Sequence, residues 1–581
     1  MVDGGEISPM RIESRPVPAA LPVLGDLPPL LTRLYAARGV SSMADLDKRL
    51  QALLPFDLFK GMPDAVRVLM EALRLQQPIL VVGDFDCDGA TASSVAVLGL
   101  RALGAASVDY LVPNRFEYGY GLTPEIVAVA LTRSPKVLVT VDNGISSIDG
   151  VAAAKAAGLQ VVVTDHHLPA EQLPAADAIV NPSQPGCAFP SKAIAGVGVI
   201  FYVLMALRAA LREDGWFTPE RPEPNLGELL DLVALGTVAD VVPLDANNRI
   251  LVHQGLARIR AGRCRPGIRA LLEVAGRPAE RLVSTDLGFI VGPRLNAAGR
   301  LDDMSLGIEC LLTENEDLAR DIARELDSLN RDRKSIERDM QQQALATLAT
   351  MTVAEEDLPF GLCLFDADWH QGVIGILASR LKDKYHRPVI AFADAGNGEM
   401  KGSARSVPGL HVRDALDAVA ARQPGLISKF GGHAMAAGLS LPSGHFEAFR
   451  KAFDAEVRRQ LSAEDLTGRL LSDGELVQSE FNLELAGQLR EAGPWGQHFP
   501  EPGFHGEFQL IQQRLVGERH LKMVLQLPGS HEVLDAIAFN IDPKVWPNPT
   551  IQRVLLAYTL DINEFRGRQT LQLMVKHVQA L

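Results

Sequence analysis

Short β-branched runs, each followed by a polar turn and an alanine-rich stretch, dominate the first half of the chain. "PILVVGD" from Pro78, "SVDYLVP" from Ser107, "KVLVTVD" from Lys136, "LQVVVTD" from Leu159 and "DAIVNP" from Asp177 each have the length and character of one buried strand. Strands alternating with helical stretches predict a parallel sheet covered on both faces, within residues 56–312. In such sheets ligands bind beyond the carboxyl ends of the strands.

From Thr313 to Met351 the pattern is purely helical. Leu318, Ile322, Leu326, Leu329, Ile336 and Met340 fall three, four or seven apart, and Thr313 with Glu316 has the form of a capping box. A helix over this span would be about 55 Å long at 1.5 Å per residue. A connector between two lobes is the expectation, with a coiled-coil segment as the alternative. A second α/β unit follows, with "FGLCLFD" and "RPVIAFA" as strands. The last segment changes character. "GEFQLIQQRLVG", "HLKMVLQLP", "VLDAIAFNI", "IQRVLLAYTLDINEF" and "RQTLQLMVKHV" predict five strands of a small barrel, an OB-fold first among the choices. Upstream of the sheet, proline-rich text leads into "LPPLLTRLYAARGV" and "DLDKRLQALL", both helical in pattern. The expected division is an N-terminal segment 1–55, a parallel-sheet domain 56–312, a connector helix 313–352, a smaller α/β domain 353–460 and a barrel domain 461–581.

Composition narrows this picture only slightly. The chain has 581 residues, too many for one core, and is 47% hydrophobic and 22% charged, an ordinary globular balance. No apolar run approaches about 18 residues, so no membrane span is expected. The first residues lack the basic-then-apolar order of a signal peptide. Five cysteines form no C-x-x-C pair, which argues against a zinc site or a disulfide framework and for the reducing cytoplasm. A net charge of −14 would repel a polyanion at long range. Residues 249–281 nevertheless carry eight arginines against two glutamates, either a solvated basic surface or a phosphate track.

The candidate chemistry lies at the element ends. Asp84, Asp86 and Asp88 stand on alternate positions of "GDFDCDG", Asp142 ends "VLVTVD", Asp165, His166 and His167 follow "VVVT", and Asp240 closes a helical run. Like charges this dense need a cation. A calcium loop of the EF-hand type would need Glu at its twelfth position, where Val95 stands, and helices rather than a strand before it. Strands of a parallel sheet end on one side, so the clusters can converge. Carboxylate oxygens with one or two imidazoles suit Mn²⁺ or Mg²⁺, and several carboxylates can bridge a pair of ions. Metal-assisted phosphoester hydrolysis is the natural reaction class. No H-E-x-x-H and no P-loop lysine motif is present.

"GDFDCDG", "VDNG", "TDHH" and "VAD" resemble the four motifs of the DHH phosphoesterase superfamily. "GPRLNAAGRLDD", "WHQGVIGILASRL", "GSARSVPGLHV" and "KFGGHAMAAG" bring the likeness closest to the RecJ family of single-strand-specific exonucleases. That resemblance implies 5′-to-3′ hydrolysis of single-stranded DNA to mononucleotides with two Mn²⁺ or Mg²⁺ ions, in repair and recombination. By motif match it implies Asp86, Asp88, Asp142, His166 and Asp240 as metal ligands. Asp84 and Asp165 would be carboxylates that orient those ligands or waters, and His167 an acid or charge stabiliser at the scissile phosphate. Ser403 and Arg405 resemble the family's grip on a 5′ phosphate, joined by Arg115. Gly431 and Gly432 would let backbone approach the substrate, with His433 touching it; a plain tight turn is the alternative. Arg294, Asn296 and Arg300 would line the path of the strand, with ordinary capping as the other reading of Asn296. In the barrel, Trp495, Arg519, Lys522, Phe565 and Arg568 are the candidate stacking and phosphate contacts, with Phe539 as a further aromatic that could equally be core. Tyr118 stands where the family tends to have an acidic residue. The implied setting is a cytoplasmic monomer with no membrane attachment, working with single-strand binding protein and helicases. A phosphodiesterase of short oligonucleotides and an inactive DNA-binding scaffold are the alternatives.

Overall fold

The computed structural model describes residues 10–114, 121–351, 358–517, 519–565 and 567–581. Arg115 and Tyr118 lie outside the described residues, as does the side chain of Phe565. The chain forms two compact units: Val17–Asn330 with Gly487–Glu501, and the chain up to Pro16 with Arg331–Ala486 and Pro502–Leu581.

The first unit is built on a five-stranded sheet in the order Val108–Leu111, Ile79–Gly83, Val137–Val141, Gln160–Thr164, Ala178–Val180, every pair parallel. All five predicted strands are there. Ile79–Gly83 and Val137–Val141 are buried throughout, as expected for strands covered on both faces. On one face Leu80, Val82, Leu138, Val161 and Val163 pack with Ile126, Val127, Val151 and Ala154. On the other lie the helices Cys87–Ala102 and Gly196–Glu213. The strand order reverses between Ile79–Gly83 and Val137–Val141. There the crossovers depart in opposite directions and leave a crevice at the carboxyl ends.

The helix Glu316–Met351 has 36 residues. Its N-terminal carbonyl acceptor is Asn315, whose Oδ1 accepts from the backbone of Asp317 at 2.9 Å and Leu318 at 3.1 Å, so the capping box expected at Thr313 does not form. "DLDKRLQALL" also departs from expectation and breaks into the 3₁₀ turns Met43–Leu46 and Leu50–Ala52. Asp45 takes the backbone N–H groups of Ser41 and Ser42, and Asp47 takes that of Arg49, so side chains compete with the helical ladder.

The second unit holds a mixed sheet in the order Lys429–Gly432, Ala436–Pro442, Glu399–Arg405, Val389–Gly396, Leu362–Phe365, only the last pair parallel. It also holds a closed barrel of Phe504–Val516, His520–Gln526, Val533–Ala538, Arg568–Ala580 and Arg553–Phe565, with the parallel third-to-fifth pairing of an OB-fold. No helix among the described residues is long and apolar enough to cross a membrane.

Trp495 is not a barrel surface residue. It is 7% exposed within the first unit, its ring 5.1 Å from Phe499 and 6.1 Å from Tyr35, and its indole N–H donates to the Leu489 carbonyl at 2.8 Å. A base has no open face of this ring to stack on. Trp495→Ala is therefore expected to act through packing, with a loss of about 3–5 kcal/mol read by thermal or urea unfolding.

Candidate metal centre

The crevice is where the acidic residues meet. The strand Ile79–Gly83 ends at Gly83, and the chain turns through Asp84 into Asp86, which caps the helix Cys87–Ala102 by accepting from Gly89 N at 3.0 Å. That turn packs tightly. A Cβ on Gly89 would lie 2.4 Å from the Asp84 carbonyl oxygen, and Asn296 Oδ1 takes the Cys87 N–H at 2.8 Å. Asn296 thus braces the acidic turn. Asp88, the second residue of that helix, accepts from Gly196 N at 2.7 Å and Val197 N at 3.0 Å, the first amides of the helix Gly196–Glu213. An anionic group at a helix N-terminus is favoured by the orphan donors and the helix dipole.

Asp142 follows Val137–Val141 with φ of +61°, left-handed backbone that an L-residue adopts only when its surroundings enforce it. Asn143 fixes it, donating to the carbonyls of Val82 at 3.1 Å and Val141 at 2.9 Å. Asp165 accepts from Ile145 N at 2.9 Å and His167 N at 3.1 Å, and faces His167 Nδ1 at 2.8 Å. Asp240 caps the carboxyl end of the helix Leu230–Ala239, and Val241 after it is again left-handed, φ +59°.

These side chains converge. His166 Nε2 lies 3.1 Å from Asp142 Oδ1, 3.4 Å from Asp240 Oδ2 and 4.0 Å from Asp88 Oδ2. Three overlapping groups each offer ligand atoms within 4.8 Å of one another: Asp142, His166 and His167; Asp88, His166 and Asp240; Asp84, Asp86 and Asp142. Asp84 and His167 therefore stand among the possible ligands, where the motif match had them beside the ligands. Two glycines make the approach possible. A Cβ on Gly196 would lie 2.6 Å from Asp142 Oδ1, and one on Gly236 would lie 2.8 Å from Asp88 Oδ1.

The electrostatics call for a cation. Burial, then the charge of Asp86, pushes Asp88 up to about 7. Burial and the neighbouring carboxylates hold Asp142 and Asp240 well above the usual range. So many carboxylates cannot all ionise in a buried crevice without positive charge between them. Hard oxygens with one or two imidazoles are the donor set of Mn²⁺ or Mg²⁺, so the residues fit the ions. Asp165 differs. Burial raises it, but the hydrogen bond and charge of His167 outweigh that and the net shift is down. Burial likewise opposes the His167 imidazolium, yet the bond and charge of Asp165 carry it up to about 9.

The comparisons agree with this geometry. A DHH family N-terminal domain model matches residues 78–237, a DHHA1 domain model 349–459 and a RecJ OB domain model 472–577. The chain is 58% identical over 556 residues to the single-stranded-DNA-specific exonuclease RecJ of Dickeya dadantii, covering 96% of each chain. It is 55% identical to that of Escherichia coli, covering 98% of this chain and 99% of the relative. The chain belongs to the RecJ family. The crystal structure of RecJ from Thermus thermophilus in complex with Mn²⁺ superposes with a TM-score of 0.77 at 31% identity, covering 96% of this chain and 76% of that one.

The other residues expected at a RecJ site lie as follows. Arg294 donates to Asp327 Oδ1 at 2.9 Å and to the Ile290 carbonyl at 2.6 Å, which fixes its guanidinium against its own helix and the helix that carries Asp327. Arg300 is half-buried on the same helix, where Gly299 lies against the Phe85 carbonyl. The basic stretch also serves packing: Arg265 donates to the carbonyls of Leu311 and Leu312, and Arg249 to those of Leu244 and Asp45. Such bonds satisfy orphan carbonyls at helix ends and turns.

In the second unit Arg405 Nη1 donates to Ser403 Oγ at 3.1 Å and to the Ala404 carbonyl at 2.8 Å. Burial alone shifts its pKa, downward, with no carboxylate to offset it. A Cβ on Gly375, at the N-terminus of the helix Ile374–Tyr385, would stand 2.9 Å from both Arg405 Nη2 and Ser403 Oγ. Gly431 pairs with Gly438, and Gly438 with Ser403, so bare backbone continues the face that carries Ser403 and Arg405. Gly432, at φ +142°, is needed by the hairpin itself, since a Cβ would lie 2.5 Å from the Ala436 carbonyl. Nothing lies within 4 Å of a Cβ on Gly431, so packing does not explain it. His433 is exposed in the hairpin turn, where its N–H donates to the Ala436 carbonyl. On the barrel, Arg519 and Arg568 are exposed, Phe539 is half-exposed, and Lys522 pairs with Asp535 at 3.1 Å.

Proposed function

We propose that this chain is a metal-dependent exonuclease that hydrolyses single-stranded DNA from the 5′ end to mononucleotides. The observation that carries the reading is the meeting of Asp84, Asp86, Asp88, Asp142, His166, His167 and Asp240 within a few ångströms at one sheet crevice. Asp86, Asp88, Asp142, His166 and Asp240 would hold two Mn²⁺ or Mg²⁺ ions, with Asp84 close enough to join them. Bound there, the ions supply acidification of water and stabilisation of charge on a phosphoryl oxygen. Asp165 fixes the His167 ring through Nδ1, leaving Nε2 as the atom that would donate to the phosphate or the leaving oxygen. Gly196 and Gly236 let the helices close on the carboxylates.

Ser403, Arg405 and the amides at the start of Ile374–Tyr385 form an anion seat that suits a 5′ phosphate. Arg405→Ala is expected to raise KM for a 5′-phosphorylated strand about 10- to 100-fold, the worth of a charge-assisted hydrogen bond. A 5′-hydroxyl strand should change much less, and equal losses on both would remove the seat from the 5′ end.

On this reading residues 56–312 are the phosphoesterase domain, 313–352 the connector that contains the helix Glu316–Met351, 353–460 the associated domain and 461–581 the segment that contains the strand-binding barrel. The expected setting is the cytoplasm, as a monomer acting in repair and recombination on strands opened by helicases and covered by single-strand binding protein. The test is digestion of 5′-labelled and 3′-labelled single strands with Mn²⁺, beside Asp142→Asn. Mononucleotide release from the 5′ end by the native chain alone supports the reading, and 3′-first release or an active variant refutes it.

A further inference from the structure

Phe289 is 80% exposed, more than any other phenylalanine among the described residues. Its exposure is not looseness. It sits in the π-helical turn Leu287–Val291, whose end residues are fully buried. A Cβ on Gly288 would lie 3.2 Å from Val238 Cγ1, and one on Gly292 would lie 3.1 Å from Ala239 Cβ. Arg294, itself held by Asp327, ties down the Ile290 carbonyl. The turn is thus pinned from both sides, and the extra residue of the π turn leaves Phe289 pointing out.

What it is pinned to gives the aromatic a use. Val238 and Ala239 are the last turn of the helix that ends in Asp240, a candidate metal ligand. The next residue, Val241, is 62% exposed in left-handed backbone. Two large apolar side chains therefore stand uncovered beside an acidic centre, where water would otherwise favour polar residues. A nucleobase has an apolar face that stacks on an aromatic ring whatever its sequence.

We propose that Phe289 is a stacking platform for a base of the strand bound at the metal centre. The proposal rests on the reading of the chain as a single-strand nuclease, and its test separates the two. A strand carrying 2-aminopurine near its 5′ end is bound in EDTA, where no hydrolysis is needed to read the signal. The native chain and Phe289→Trp should quench the fluorophore, and Phe289→Ala and Phe289→Leu should not. With Mn²⁺, Phe289→Ala should raise KM on an ordinary oligonucleotide about 5- to 100-fold, the worth of one base on an aromatic. On a strand whose 5′-terminal nucleotides are abasic, native and Phe289→Ala chains should converge, and their melting temperatures should match. Equal quenching by all four chains, an equal loss on the abasic strand, or a lowered melting temperature would each overturn the stacking role. Phe289-dependent quenching without any hydrolysis by the native chain would refute the nuclease reading and leave the platform standing.

Discussion

Asp142→Asn is expected to abolish hydrolysis while raising the melting temperature of the metal-free chain. Asp142 is buried, and its pKa is held well above the usual range by burial first, then by Asp88, Asp86, Asp240 and Asp84. A carboxyl whose folded pKa exceeds its unfolded value destabilises the native state once pH passes the unfolded value, because the charge it then carries in water is resisted inside. Asparagine keeps the shape and removes that charge, so the EDTA-treated variant should gain about 1–3 kcal/mol at neutral pH. The functional cost runs the other way. Native protein with Mn²⁺ at 100 times its Kd should gain about 2.7 kcal/mol, and a variant missing a carboxylate ligand should gain far less. Its hydrolysis rate should fall about 10³-fold or more, as when a preorganised charge partner is removed. Thermal denaturation in EDTA and in Mn²⁺, beside a digestion assay, reads all three. A variant that melts lower in EDTA and keeps the native Mn²⁺ response would show that Asp142 serves packing.

This trade of stability for charge explains how much of the centre was legible in the sequence. A β-branched run that stops at an aspartate marks the carboxyl end of a buried strand, so Asp84, Asp142 and Asp165 announced themselves, and their strands pair as expected. Asp240 was visible only as a helix end, and its partners came from the family likeness. The second sheet was harder. "EMKGSAR", "KFGG" and "AAGLSLP" have no β-branched residue, so the strands Glu399–Arg405, Lys429–Gly432 and Ala436–Pro442 carry no strand signal in the sequence. Side-chain commitments were harder still. An arginine's spacing does not reveal whether its fork meets Asp327, as Arg294 does, or nothing anionic, as with Arg405. Trp495 looked like a stacking ring because its sequence neighbours lead into a barrel, yet the segment Gly487–Glu501 packs with the first unit.

Gly236→Ala is the second large effect expected, at a residue whose importance no pattern of charge or period reveals. Gly236 lies in a helix, where alanine is ordinarily the better residue by about 1 kcal/mol. Here a Cβ would fall 2.2 Å from Thr91 Oγ1, 2.8 Å from Asp88 Oδ1 and 2.8 Å from Val197 Cγ1. Three helices meet at that point, and neither polar atom can simply swing aside. Thr91 Oγ1 is held by the carbonyls of Cys87 and Asp88, and Asp88 by the amides of Gly196 and Val197. The methyl must therefore push the helix ending in Asp240 away from Asp88, two residues that each come within 4.0 Å of His166 Nε2. Overpacking of this kind costs about 1–3 kcal/mol net of the gain in propensity. A displacement of about 1 Å among positioned groups costs about 10²-fold in rate. Activity measured well below the melting temperature separates the two effects. Loss of rate in a variant that is still fully folded, together with a weakened thermal response to Mn²⁺, is the expected result. A variant that is more stable than the native chain and equally active would mean that the helices yield without moving the carboxylates, and that the closeness of Asp88 and Asp240 is not what the centre depends on.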